Sequence, residues 1–230
     1  MTPQDDGVDI ARRIGHSRRM KTLLAMLCAA ALAVPAGADE GWISMFDGKS
    51  LAGWKSNDEV PGVFTVEDGA LKVSGGRAHI FYVGADGKAC FKDFEFRAKV
   101  KTTPGSNSGI YIHTAFQEKG WPEKGYECQV NTSHKDPKKT GGLYAIRDVM
   151  NVAPSKDDVW FDYVIRVQGR QITVSIDGKV TAEFAEPDGW TPPEKMPGRK
   201  LSSGTIALQG HDPKSTVFYK DLQIRPLPSK

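Results

Sequence analysis

The chain has 230 residues, 26% of them charged and 39% hydrophobic, with a formal net charge of +3. That near-neutral balance leaves no footprint for nucleic acid or for an anionic membrane surface. The length admits one sizeable domain and is short for two.

Residues 1–38 read as an upstream extension plus signal peptide. Lys21 precedes an apolar run from Leu23 to Val34, and Ala36-Gly37-Ala38 offers small residues for cleavage after Ala38. Met20 would begin a normal signal peptide by itself. The apolar run is too short to cross a bilayer, and no later run is longer, so no stable membrane span is expected. Residues 39–230 are then one exported domain, periplasmic or secreted. Removing residues 1–38 takes away five Lys/Arg and three Asp/Glu, which lowers the net charge from +3 to +1.

Beyond the leader, strand patterns recur at 63–67, 70–74, 79–83 and 94–101, with an Asp68-Gly69 turn between the first two. At 108–113 and 126–131 apolar and polar residues alternate. Ile110 and Ile112, then Tyr126, Cys128 and Val130, are expected in a core, leaving Tyr111, His113, Glu127, Gln129 and Asn131 on the opposite face. The loop 115–124 between them carries Phe116 and Trp121, and 132–141, read as another loop, carries His134 and Asp136. Strands resume at 160–168, 171–177 and 180–184, where Phe161, Tyr163, Ile165 and Val167 share one face, as do Ile172, Val174 and Ile176. The proline-rich stretch 187–204, with Trp190, is the longest irregular piece, and strands at 205–209 and 217–225 close the chain. Many short strands, glycine turns and no convincing amphipathic helix argue an all-β, antiparallel β-sandwich. Cys90 and Cys128 could pair in an oxidising compartment, though Cys128 is more simply a small buried hydrophobe.

Familiar catalytic signatures are mostly absent; Gly105-Ser106-Asn107-Ser108-Gly109 has asparagine where a nucleophile elbow needs serine. Glu127 is the sharper feature. Glutamate is disfavoured in strands, and this one shares a row with Gln129 and Asn131, which marks it as a candidate base. The bland reading is a solvated strand glutamate; for the candidate base itself, Glu127→Gln is expected to remove turnover while changing folding by no more than about 0.5 kcal/mol. His113 and His134 are alternative proton carriers. His134-Lys135-Asp136 and His211-Asp212 would suit a divalent metal ion, whose presence the pattern leaves open. Tyr111, Gln129, Asn131, Gln209 and His211 are candidate sugar contacts. Trp121 and Trp190, in loops, are candidate stacking platforms, whereas Trp42 and Trp160, at strand starts, read as core.

The ordered set Phe46-Asp47-Gly48-Lys49-Ser50-Leu51-Ala52-Gly53-Trp54, Asp93-Phe94-Glu95-Phe96, Asn107-Ser108-Gly109-Ile110-Tyr111, Gly125-Tyr126-Glu127-Cys128-Gln129-Val130, Gly142-Leu143-Tyr144 and Val217-Phe218-Tyr219-Lys220-Asp221-Leu222-Gln223-Ile224 resembles the 3-keto-disaccharide hydrolase domain family. That family, formerly a domain of unknown function, has a concanavalin A-like jelly roll. The resemblance covers essentially all of 39–230. It implies an exported enzyme that cleaves glycosides whose sugar carries a ketone at carbon 3, and it adds Tyr144 to the sugar contacts. Such a ketone acidifies the proton on carbon 2; a base removes it, the glycosidic oxygen leaves, and water adds back. One base, one acid and a group that polarises the ketone suffice, without the paired carboxylates of ordinary glycosidases. An upstream sugar 3-oxidoreductase would make the ketone. The chain departs from many relatives at His113, where they carry arginine, and at Gly210-His211-Asp212, where an acidic residue and histidine commonly follow the glutamine. Jelly rolls also serve as lectin-like modules, so a non-catalytic carbohydrate-binding module is the alternative.

Overall fold

In the computed structural model, which describes residues 40–57 and 59–229, fifteen strands form and no α-helix occurs among the described residues. The leader expected at 1–38 lies outside those residues. In chain order the strands are β1 (Ile43–Ser44), β2 (Trp54–Ser56), β3 (Phe64–Glu67), β4 (Ala70–Ser74), β5 (Ala78–Tyr82), β6 (Phe94–Thr102), β7 (Ser108–Thr114), β8 (Tyr126–Val130), β9 (Lys138–Leu143), β10 (Arg147–Met150), β11 (Phe161–Gln168), β12 (Gln171–Ile176), β13 (Lys179–Ala185), β14 (Thr205–Gly210) and β15 (Thr216–Pro226). One sheet runs β13-β12-β11-β6-β15-β4-β3 with β1 on β15, and the other runs β10-β9-β8-β7-β14-β5-β2. Their strands pair antiparallel, giving the expected sandwich.

Alternation decides which side chains meet between the sheets. In β6, Phe94, Phe96, Ala98 and Val100 are buried while Glu95, Arg97, Lys99 and Lys101 are half-exposed. The inward rows of β11 and β12 are Phe161, Tyr163, Ile165 and Val167, and Ile172, Val174 and Ile176, as read from the sequence. They join Ile110, Ile112, Tyr126, Cys128, Val130 and Leu208 of the other sheet in one core. Cys128 is buried, Cys90 is exposed and both are free thiols. No helix among the described residues is long and apolar enough to cross a membrane.

Four expectations are corrected. First, β7, β8 and β14 are buried on both faces instead of one. Loops roof the outer face: Phe116 packs on Phe81, Tyr111 and Ala207, a small apolar cluster separate from the main core. Second, part of the loop read at 132–141 is strand β9. Its Lys138-Lys139-Thr140-Gly141-Gly142 run has no alternation to read. Gly141 is required there, because a Cβ would lie 2.5 Å from Thr181 Oγ1 and 2.8 Å from Ile176 Cγ1 of the facing sheet. Third, Trp42 and Trp160 are half-buried outside the core, on the outer face of the first sheet. Arg97 and Arg225 lie over Trp42, and Lys101 and Lys220 over Trp160, within cation–π range. The fourth concerns His113. Thr114 pairs with Thr205 and Tyr111 with Ala207, so β7 carries one extra residue there. His113 takes up the bulge at φ +53 and turns to the core side.

Candidate active site

Three neighbouring strands, β8, β7 and β14, supply the floor of a cavity of about 740 Å³, and the loops 115–124 and 187–204 supply its walls. That volume suits a small-molecule ligand. Cross-strand register places Tyr111 beside Glu127 and Ala207 beside Tyr111, so same-face residues of the three strands converge.

Glu127 is the convergence point. Its Oε2 accepts hydrogen bonds from the Tyr111 hydroxyl at 3.0 Å and an Arg199 Nη at 3.2 Å, and its Oε1 accepts from Gln209 Nε2 at 3.0 Å. Gln209 Nε2 is also 3.0 Å from the Tyr111 oxygen. The carboxylate lies flat on β7 because Gly109 is its cross-strand neighbour's neighbour without a side chain: a Cβ there would be 2.7 Å from Oε1. Glu127 is only 6% exposed. Burial pushes its pKa above the ordinary 4.5, against the opposing pull of Arg199, Tyr111, Gln209 and, more weakly, His211. Burial and the neighbouring carboxylate push the Tyr111 hydroxyl well above its usual value, so it remains a donor. The solvated-glutamate reading is thereby excluded.

Arg199 had no signal in the sequence beyond being a basic residue in a long loop. Its position is fixed by backbone: its Nη1 donates to Gly125 O at 3.2 Å, Gly125 N–H donates to Gly198 O at 2.9 Å, and Trp190 Nε1 donates to Arg199 O at 2.8 Å. Trp190 is thus a strut packed on Phe184, not a stacking platform.

The remaining candidates divide. Gln129, Tyr144, Gln209, His211 and Trp121 line the cavity with Tyr111 and Glu127, and so does Asn107, in which the sequence shows only the missing serine of a nucleophile elbow. Trp121 is 42% exposed, its ring 5.5 Å from the rings of both His79 and His211. Such an exposed aromatic face is what a sugar ring stacks on. The side-chain oxygens of Asn107, Gln129 and Gln209 are buried without hydrogen-bond partners, leaving acceptors for hydroxyl groups. Asn131 does not line the cavity: its Nδ2 donates to Asp136 O at 3.0 Å and Lys138 O at 2.7 Å, which shapes the turn into β9. His134 stands at the rim, ring to ring with His211 at 5.5 Å. His113 is not in the site. Its Nε2–H donates to Lys92 O at 2.7 Å, its Nδ1 accepts from Ser202 N–H at 3.2 Å, and its ring lies edge-on to Phe94. Both nitrogens are occupied, so it is a structural histidine.

Residues 41–225 match the family model of the 3-keto-alpha-glucoside-1,2-lyase-like domain. A 3-keto-disaccharide hydrolase of Bacteroides thetaiotaomicron is 38% identical over 86 residues, a stretch covering 35% of this chain and 29% of that relative. A candidate glycosyl hydrolase from Parabacteroides distasonis has a similar structure, with a TM-score of 0.70 and 23% identity over 82% of this chain and 95% of that one. A carbohydrate-binding module of Bacillus subtilis shares the fold at a TM-score of 0.51 and 12% identity, covering 76% of this chain and 96% of the other.

Proposed function

The chain belongs to the 3-keto-alpha-glucoside-1,2-lyase-like domain family, and from that premise we propose that it cleaves 3-keto-glycosides by proton abstraction at carbon 2, elimination and hydration, with Glu127 as the base. The observation that carries the reading is the Glu127 carboxylate itself, buried at the cavity floor and oriented by Tyr111, Gln209 and Arg199. Burial raises its basicity, as a base working near neutral pH requires. In the proposed sequence Glu127 takes the carbon 2 proton and the electron pair is delocalised onto the ketone as an enolate. The enolate collapses, the bond from carbon 1 to the glycosidic oxygen breaks, and the departing oxygen takes the proton back from the Glu127 carboxyl. Water then adds across the carbon 1 to carbon 2 double bond. Arg199, in the cavity wall, supplies positive charge toward the enolate oxygen. The leader-like segment 20–38 supports an exported protein, and an upstream sugar 3-oxidoreductase would supply the substrate.

Incubation of the purified protein with a 3-keto-disaccharide and with its unoxidised parent is expected to cleave the ketone alone. Binding of both sugars with cleavage of neither would favour the lectin-like module that the shared fold of the Bacillus subtilis protein keeps as the rival. The pH profile gives a second check. Only the ionised carboxylate is a base, and its pKa is raised, so kcat/KM falls as pH drops through a value above 4.5. An acid limb at or below 4.5 would contradict the assignment of Glu127.

A further inference from the structure

At the rim of the cavity two imidazoles and a carboxylate meet. One potential ligand atom from each of His134, His211 and Asp212 lies within 4.8 Å of the others. The two histidines come from remote parts of the chain, one before β9 and one after β14. The hydrogen bonds around them mark which nitrogens carry a lone pair: His134 Nδ1 accepts from Asp136 N–H at 3.1 Å and is the unprotonated nitrogen of its ring. His211 Nδ1 donates to Asp212 Oδ2 at 3.0 Å, which leaves its Nε2 unprotonated. The same carboxylate is held by the Ser215 hydroxyl at 2.6 Å and by Lys214 N–H at 2.9 Å. A metal-bound histidine whose other ring nitrogen is held by an oriented carboxylate is a recurrent second-layer arrangement. His134 Nε2 lies 3.9 Å from Asp212 Oδ2.

Asn107 supplies the second, independent observation. It is 2% exposed, and its Nδ2 lies 3.4 Å from His134 Nδ1 and 3.3 Å from His211 Nε2. Its Oδ1 is buried with no partner at all. A buried amide oxygen without a donor calls for a ligand. A cation answers it, because turning the amide over brings Oδ1 toward the two imidazoles. We propose that His134 Nδ1, His211 Nε2 and the side-chain oxygen of Asn107 bind one divalent transition metal ion at the rim of the cavity, with Asp212 holding His211 from the second layer. Two imidazoles with an oxygen donor suit zinc, cobalt, nickel, manganese or iron better than calcium or magnesium. Because Asn107 and His211 line the cavity, an ion there would face a bound ketone as a Lewis acid. That role rests on the reading of the function above; the binding does not.

The test uses untagged protein stripped with a chelator and titrated with Co(II), then Zn(II), in the absence of any sugar. One equivalent of Co(II) is expected to give visible ligand-field bands that Zn(II) abolishes. His211→Ala is expected to weaken binding on the order of 100-fold or more, with an unchanged circular dichroism spectrum. His134→Ala, at a half-exposed position, provides the same readout if the first variant fails to fold. No binding tighter than millimolar, or binding unmoved by either substitution, overturns the proposal. A protein that binds the ion but cleaves no 3-keto sugar sinks only the catalytic reading, and one that cleaves it without binding any ion sinks only this proposal.

Discussion

Glu127→Gln is expected to lower turnover of a 3-keto-disaccharide on the order of 100-fold or more, because the substitution removes the base while keeping its shape. The structure also changes what the same substitution should do to stability. Glu127 and Arg199 form a buried ion pair at 3.2 Å, with side chains 8% and 6% exposed. Breaking such a pair from one side costs about 3–5 kcal/mol, far more than a solvated glutamate would. Gln209 softens the loss: its Oε1 is unpartnered, so turning its amide over lets it accept from the new glutamine. Arg199 has no such remedy, and a fall in melting temperature on the order of 6–20 °C follows for a domain of this size. The double variant Glu127→Gln, Arg199→Met separates the two effects. It should regain much of the melting temperature and none of the turnover. Near-full turnover in Glu127→Gln would end the assignment, whatever the melting temperature does.

Gly198→Ala is expected to impair the site from a distance. A Cβ at Gly198 would lie 1.9 Å from the backbone oxygen of Glu123 and 2.8 Å from its carbonyl carbon. No rotamer relieves a clash with backbone, so the loop must lift from the segment leading into β8. Arg199 is the next residue, and its guanidinium leaves Glu127 as the loop moves. A displacement of about 1 Å in such a constellation can reduce rate on the order of 100-fold. With Arg199 withdrawn, the acid limb of kcat/KM should also move to higher pH, because the guanidinium is the main partner holding the Glu127 carboxylate ionised. Gly76→Ala is the control: its Cβ would approach no closer than 3.4 Å to a flexible Val60 methyl. Equal activity in Gly198→Ala and Gly76→Ala would show that Arg199 does not position the base.

The site was legible where strand alternation runs uninterrupted. Tyr111, Glu127 and Gln129 could be placed on one face because each sits between residues that must point into the core. The same logic failed at His113, since an extra residue in β7 inverts the alternation, and no composition marks that bulge. It failed at Asn131, where a local turn consumed the amide that the strand pattern had assigned to the cavity. Arg199 lay beyond any periodic reading: it reaches Glu127 across 72 positions of chain, from a loop set by backbone contacts at Gly125 and Gly198.

The sequence by itself determined the all-β sandwich, the inward rows of β6, β11 and β12, and the family, because these depend on local patterns of side-chain polarity and on ordered short motifs. Tertiary structure alone decided that the outer face of the second sheet is roofed, that Glu127 is buried against Arg199, and that His134 and His211 stand at one rim. Those are contacts between segments far apart in the chain, and polarity patterns specify which way a side chain points but not what arrives to cover it.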